Sequence, residues 1–401
     1  MVTTYRSRVV DSLAVRLFVC VVFASVISIC GVAQTHSGFP VDIVAGPPPQ
    51  PVSSDGRSWL LYELHLTNYA PLPIELTSIE VLGAGGSTLA SYRGEALGKL
   101  VIPVEKLSLP TEPPSSADQG QLIGEGHSVL VFFNLSLDSS PPAELRHRFT
   151  FSVTPKSGRL ETTLEAGIVP VVQEPAPVLA PPLRGSSWVA FNALSSPDHR
   201  RSLNAVDGRE RIPQRFAIDW MQIGPDRRLF HGDAKSNANY YGYGAEVLAV
   251  ADGNVSDLKD GLPDNVGSNE RSGRTITIDN AAGNYVIVDL GRGRFALYAH
   301  LQPGSLRVKV GDKVSAGQVL ARLGNSGNSD APHLHFQLMD SNSPLGSEGI
   351  AYELLSFAQL GVVEDEDAML DHGQPWQPKS QVSPVLHRLE FPLNRAVVTF
   401  P

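Results

Sequence analysis

The sequence predicts an all-β protein built as two domains in tandem, and three observations carry that expectation. Among 401 residues, 36 Gly and 31 Pro repeatedly interrupt short Val/Ile/Leu/Thr-rich stretches. Long segments with a 3.6-residue apolar period are missing. A Pro-rich segment, Val169–Leu183, divides the chain. At 42% hydrophobic and 18% charged, the chain can fill two cores of ordinary size.

In chain order, Arg6, Arg8 and Arg16 precede an apolar run from Leu17 to Ile29, and Gly31-Val32-Ala33 then supplies small residues. That is the layout of a secretory signal over residues 1–33, with export to the periplasm or the extracellular space. A run of thirteen residues is short of the ~20 that a helix needs to span a bilayer. No later segment is apolar and long enough to span, so no membrane span is expected once the signal is cleaved. Both cysteines, Cys20 and Cys30, lie inside this segment. Metal chemistry beyond it would fall to His, Asp and Glu.

The net charge is -9, and residues 1–33 contribute three Arg against one Asp, so the remainder holds 29 basic and 40 acidic residues. A balance of that sign leaves no electrostatic footprint for nucleic acid. Nothing in the sequence bears on oligomeric state.

Residues 40–168 read as strands Trp59–Leu66, Ile74–Val81, Lys99–Val104, Ser128–Leu135 and Arg148–Val153. Their spacing predicts an immunoglobulin-like β-sandwich. Residues 169–183 should be a stiff, extended linker or a strand running into one. Residues 184–372, dense in Gly turns such as Asp207-Gly208, Asp252-Gly253 and Gly311-Asp312, predict a second β domain, and residues 373–401 a tail with one strand-like piece, Val397–Phe400.

The chemistry concentrates in the second domain. In Pro332-His333-Leu334-His335-Phe336-Gln337-Leu338 the strand period of two puts His333 and His335 on one face, with Leu334, Phe336 and Leu338 on the other. Two imidazoles on one face are a metal or proton-transfer site when buried, and two solvated side chains when exposed. Upstream, Tyr298-Ala299-His300 ends a strand. Val308–Leu323 (VKVGDKVSAGQVLARL) forms two short strands with glycine turns, and Asn325-Ser326-Gly327-Asn328-Ser329 is a loop directly before the His pair.

Together with Arg215–Trp220 (RFAIDW) and Ala249–Val255 (AVADGNV), these elements resemble the lysostaphin-like zinc peptidoglycan endopeptidases, in order, over residues 215–338. The resemblance implies a lysostaphin-like β catalytic domain. It implies zinc as cofactor, Asp219 and His335 as ligands, His300 and His333 as the histidines that handle protons, and peptide cross-links of peptidoglycan as substrate. One departure stands out: the family presents its first ligand four residues before the Asp, where this chain has Arg215, and Arg binds no metal because it stays protonated. Two replacements are expected to compete. If a hairpin folds about Asp207-Gly208, His199 comes opposite residue 216, near the position Arg215 leaves open; alternatively His231 returns through a loop. His199 is favoured. Two imidazoles and one carboxylate fill three corners of a tetrahedron and leave one for water, as hydrolytic zinc sites require.

Other readings weigh less. Loss of the usual first ligand fits a catalytically silent relative that binds cell wall and regulates another hydrolase. Val308–Leu323 also resembles lipoyl and biotinyl carrier hairpins, which need a lysine in an exposed turn; Lys313 is not so placed. The loop residues Asp233, Lys235, Asn237, Asn239 and Tyr240–Tyr243 could line a peptide groove. The histidines at 36, 65, 127, 147, 372 and 387 read as surface or internally bonded side chains, and Glu364–Asp367 as a solvated run.

Overall fold

The computed structural model describes residues 38–104, 121–267, 275–378 and 383–401. The expected signal, residues 1–33, lies outside them. Strands dominate, and the two α-helices among the described residues, Gly94–Gly98 and Glu366–Leu370, are single turns. No helix among the described residues is long and apolar enough to cross a membrane.

The N-terminal half holds two five-stranded sheets. In one, Arg57–Asn68 lies between Val41–Ala45 and Ser128–Leu137; in the other, Glu144–Val153 lies between Leu160–Pro170 and Ile74–Leu82. Alternate side chains of the two sheets, among them Leu64, Leu66, Val131, Leu76, Ile79 and Phe151, form one buried cluster. The strand Leu160–Pro170 was not apparent from the sequence: Thr162, Leu164 and Ala166 alternate with charged or small residues, and none of the three is fully buried. Buried in this half is His147, whose Nδ1–H donates to Gly167 O at 2.6 Å, so that Nε2 accepts from the Tyr62 hydroxyl at 2.9 Å.

The second half is organised by an eleven-stranded sheet. Its strands run in the order Val178–Leu179, Glu353–Val362, Ala396–Phe400, Gly185–Phe191, Ile218–Gln222, Leu334–Met339, Phe295–Leu301, Asn284–Asp289, Gly253–Lys259 and Lys313–Val314, with Val385–Glu390 paired to Glu353–Val362. Two segments outside the expected domains also contribute strands to it. Within residues 169–183, Val178–Leu179 pairs with Glu353–Leu354 and Leu179 and Leu183 are buried, so the segment lies against the fold rather than spanning open space. Within residues 373–401, Ala396–Phe400 sits between two other strands of the sheet, because Val397 and Val398 bury both faces of that strand.

The halves share interior. Val52 and Leu61 from the first join the cluster containing Trp220, Phe336 and Tyr352 from the second.

Burial holds His147 neutral, with its pKa lowered to about 4. An unfolded histidine titrates near 6.5, so the unfolded chain binds the extra proton first as pH falls. This group's contribution is complete above pH 6.5 and is lost progressively down to about pH 4, on the order of 3 kcal/mol in all. Urea denaturation across that window should show a shallower loss of stability in His147→Gln than in the parent chain; equal slopes would contradict the assignment.

Candidate active site

Asp219 and His335 meet because their strands pair in register. Ile218↔Phe336, Asp219↔His335 and Trp220↔Leu334 are direct neighbours, and His335 also faces Ala299 across the other ladder. The strand period of two sends Ile218, Trp220, Leu334 and Phe336 into the core and leaves Asp219 and His335 together on the opposite face.

His300 reaches that face by an irregularity. Asn284 pairs with Leu301 but Val286 with Tyr298, so Tyr285 opposes both Ala299 and His300, a bulge. His300 itself has φ of 60°, in the left-handed region that a β-strand residue avoids. Simple alternation would have turned its ring away from His335. The bulge instead puts the ring 4.7 Å from that of His333 and 5.7 Å from that of His335.

The loop before the His pair is held by close backbone packing. Gly283 and Gly327 both have positive φ, and a Cβ on either would run into the backbone of the facing loop. Here glycine is required twice over, by conformation and by space. Asn265 Nδ2 donates to Gly327 O and Ser329 O at 2.8 and 2.9 Å, and Asn325 N donates to Asp264 Oδ1 at 2.8 Å.

His199 arrives from elsewhere. The hairpin about Asp207-Gly208 forms, but it pairs only Asn204–Val206 with Arg209–Arg211. His199 stands instead on the 3-10 turn His199–Arg201. Its Nε2 lies 3.0 Å from Asp219 Oδ2, and its ring is 5.0 Å from that of His335. His231 is not brought to the cluster: its side chain packs 5.4 Å from Tyr241 and it is exposed.

The resulting electrostatics are unusual for a largely enclosed carboxylate. Burial alone would raise the pKa of Asp219, but His199 and His333 hold it well below the usual range. Its Oδ1 is 2.8 Å from His335 Nδ1 and 3.4 Å from His333 Nε2, and its Oδ2 accepts from Asn192 Nδ2 at 2.9 Å. Burial, then the neighbouring His333 and His335, pushes His300 well below the ordinary histidine value. Burial would lower His333 too, yet the Asp219 carboxylate raises it. Backbone carbonyls fix both tautomers: Nδ1–H of His300 donates to Ser326 O at 2.7 Å and Nδ1–H of His333 to Ala331 O at 2.8 Å. In each neutral ring Nε2 is then the lone-pair nitrogen.

His199, Asp219 and His335 each offer an atom within 4.8 Å of the others, and so do His300, His333 and His335. The first set fits a zinc ion by a further observation. Gln337 Oε1 accepts from His335 Nε2 at 2.8 Å, and Gln337 is held by its own bond to Pro344 O. Neutral His335 therefore presents the Nδ1 lone pair to the Asp219 carboxylate, and two acceptors facing each other call for a shared cation. The buried Nδ1 of His199 also has no hydrogen-bond partner. These groups open on a cleft of about 580 Å³, lined also by Asn192, Tyr240, Asn328 and Glu366. Asn192 and Gln337 were missed from the sequence. Gln337 was detectable as the next residue on the His333/His335 face; Asn192, in a left-handed conformation after the strand Gly185–Phe191, carries no local signal.

Arg215 serves packing instead of chemistry. It is buried, its Nη2 is 2.6 Å from Glu63 Oε1 and 2.9 Å from Glu348 Oε2, and its Nη1 donates to Gly349 O at 3.0 Å. Burial would lower its pKa, but Glu63 and Glu348 outweigh that and raise it.

Compared with known proteins, residues 238–346 match Peptidase family M23 and form a domain of that family. The chain is 39% identical over 66 residues to Peptidoglycan DD-endopeptidase ShyA of Vibrio cholerae serotype O1, covering 16% of this chain and 15% of that protein. It is 35% identical over 109 residues to Glycyl-glycine endopeptidase ALE-1 of Staphylococcus capitis, covering 25% and 29%. It is 36% identical over 147 residues to Murein hydrolase activator EnvC of Escherichia coli K12, covering 35% and 30%. The chain thus spans less than a third of the length of each of these relatives.

Removing one partner of a buried ion pair strands the others, which typically costs about 3–5 kcal/mol. Arg215→Ala should lower the free energy of unfolding by that much, as read by chemical denaturation. A change below ~1 kcal/mol would place the pair among weak, solvent-screened contacts.

Proposed function

We propose that this chain is an exported zinc peptidase whose M23 domain hydrolyses amide bonds in the peptide cross-links of peptidoglycan. The observation that carries this reading is the meeting of Asp219, His335 and His199 around one point, with His300 and His333 beside them. Endopeptidase activity named for two similar proteins supports the substrate class, and the layout of residues 1–33 supports export.

In this reading His199, Asp219 and His335 hold the ion, and Asn192 and Gln337 fix the Asp219 carboxylate and the His335 ring. Zinc, when bound, supplies Lewis acidity and lowers the pKa of water to about 7. His300 and His333, with Nδ1 anchored to backbone carbonyls, present Nε2 to the reacting groups. One of them takes a proton from the attacking water and returns it to the leaving amine nitrogen as the C–N bond breaks. The other, when protonated, donates to the carbonyl oxygen as charge develops there. The positive φ of His300 is a cost that this alignment explains.

A second reading has its own support. Arg215 stands where the resembled family has its first ligand, and the similarity to a murein hydrolase activator extends over 35% of the chain. A silent relative of that kind would bind cell wall and regulate another hydrolase.

Zinc content and release of peptide fragments from purified peptidoglycan separate the two. The peptidase reading expects about one zinc per chain and loss of both zinc and hydrolysis in Asp219→Ala and His335→Ala, with His231→Ala unaffected. Failure of the parent chain to bind zinc at neutral pH with metal in excess would favour the regulatory reading.

A further inference from the structure

The turn carrying His199 is secured on one side by the N-terminal sheets. Arg200, the next residue, is buried at 4% exposure. Its guanidinium donates from Nη2 to Phe133 O at 2.8 Å and from Nη1 to Asn134 Oδ1, both on the strand Ser128–Leu137. Arg201 Nη2 donates to Lys99 O at 2.5 Å, a second point on the same half. Within the turn, Ser202 Oγ donates to His199 O at 2.7 Å. A three-residue 3-10 turn has too few internal hydrogen bonds to fix a side chain by itself. Its orientation comes from these outside anchors.

Position 215 adds an independent observation. Its Arg reaches Glu63 on the strand Arg57–Asn68, which pairs with Ser128–Leu137. Two arginines on either side of the Asp207-Gly208 hairpin therefore grip adjacent strands of one sheet, and the segment between them is set relative to Asp219 from both ends.

We infer that Arg200 is a positioning residue for the metal site: bonded to Phe133 and Asn134, it holds His199 against Asp219, so that the N-terminal sheets are a structural part of the cation-binding centre. This rests on His199 as a ligand, as proposed above. The consequence is physical. If the anchor is released, His199 must be ordered when the ion binds, and affinity falls by the cost of that ordering.

The test is a double-mutant cycle on the full chain, reading zinc affinity by competition with a chromophoric chelator and fold by circular dichroism of the metal-free protein. Arg200→Ala should weaken zinc binding about 10–100-fold, the range for residues that orient a ligand, while the fold persists. In a His199→Ala background the same substitution should have no further effect, since its action runs through that imidazole. A purely structural role would give losses that add in the double variant, and that result overturns the inference. So does unchanged affinity in Arg200→Ala when His199→Ala loses zinc. If His199→Ala binds zinc as the parent does while Asp219→Ala does not, the ligand assignment itself has failed. Should Arg200→Ala not fold, Asn134→Ala removes one acceptor only: a several-fold loss that vanishes in the His199→Ala background supports the inference, and parental affinity overturns it.

Discussion

Asp219 carries a negative charge into a part of the fold where burial by itself would favour the protonated acid, and the surrounding groups reverse that preference. Its two oxygens meet His335 and His333 on one side and His199 and Asn192 on the other. These neighbours come from three segments, so the carboxylate is where the ladder pairing that carries the His333/His335 pair, the 3-10 turn and the end of the Gly185–Phe191 strand must agree. A charge so placed is tolerable only while its partners stay. The rest of the cleft can be understood as the set of devices that keep them there: the bulge at His300, the interlocked glycines 283 and 327, and the Gln337 bond behind His335.

The coupling of the two halves follows from the same accounting of buried polar groups. Arg200 and Arg215 are both buried guanidiniums, and neither finds all its acceptors within its own half. Apolar contact adds to this, since Val52 and Leu61 pack into the core of the large sheet. The arrangement of the N-terminal sheets against the eleven-stranded sheet is thus specified by directional bonds and not by burial alone, and directional bonds tolerate little sliding.

Much of the site was legible because it obeys the strand period. His333, His335 and Gln337 share a face in any β reading, and the apolar register of Leu334, Phe336 and Leu338 says which face is the core. The all-β class followed similarly from glycine turns and short apolar runs. What escaped did so for identifiable reasons. Asn192 owes its direction to a positive φ, which no periodicity encodes in a residue other than glycine; His300, named from the resemblance, has its direction set the same way. His199 was reachable in outline from the Asp207-Gly208 turn, whose register Asn204↔Arg211 continues arithmetically to the pair 199 and 216; yet the ladder stops well before that pair, and the ring meets Asp219 through a turn. Arg215 showed only what it could not be. Its acceptors Glu63 and Glu348 lie 152 and 133 residues away, and long-range pairs of that kind leave no trace in local pattern. In residues 169–183 and 373–401 the strand pieces were legible but their partners were not, because the surfaces that receive Val178–Leu179 and Ala396–Phe400 come from distant segments.

The strand Ala396–Phe400 has a temporal implication. It lies between Glu353–Val362 and Gly185–Phe191, two segments some 165 positions apart in sequence, and both ladders need it. A chain emerging in order can complete Ile218–Gln222 and its neighbours early, but the sheet cannot close across Gly185–Phe191 until position 400 has been made. Until then an open ladder edge is displayed that invites pairing with another chain.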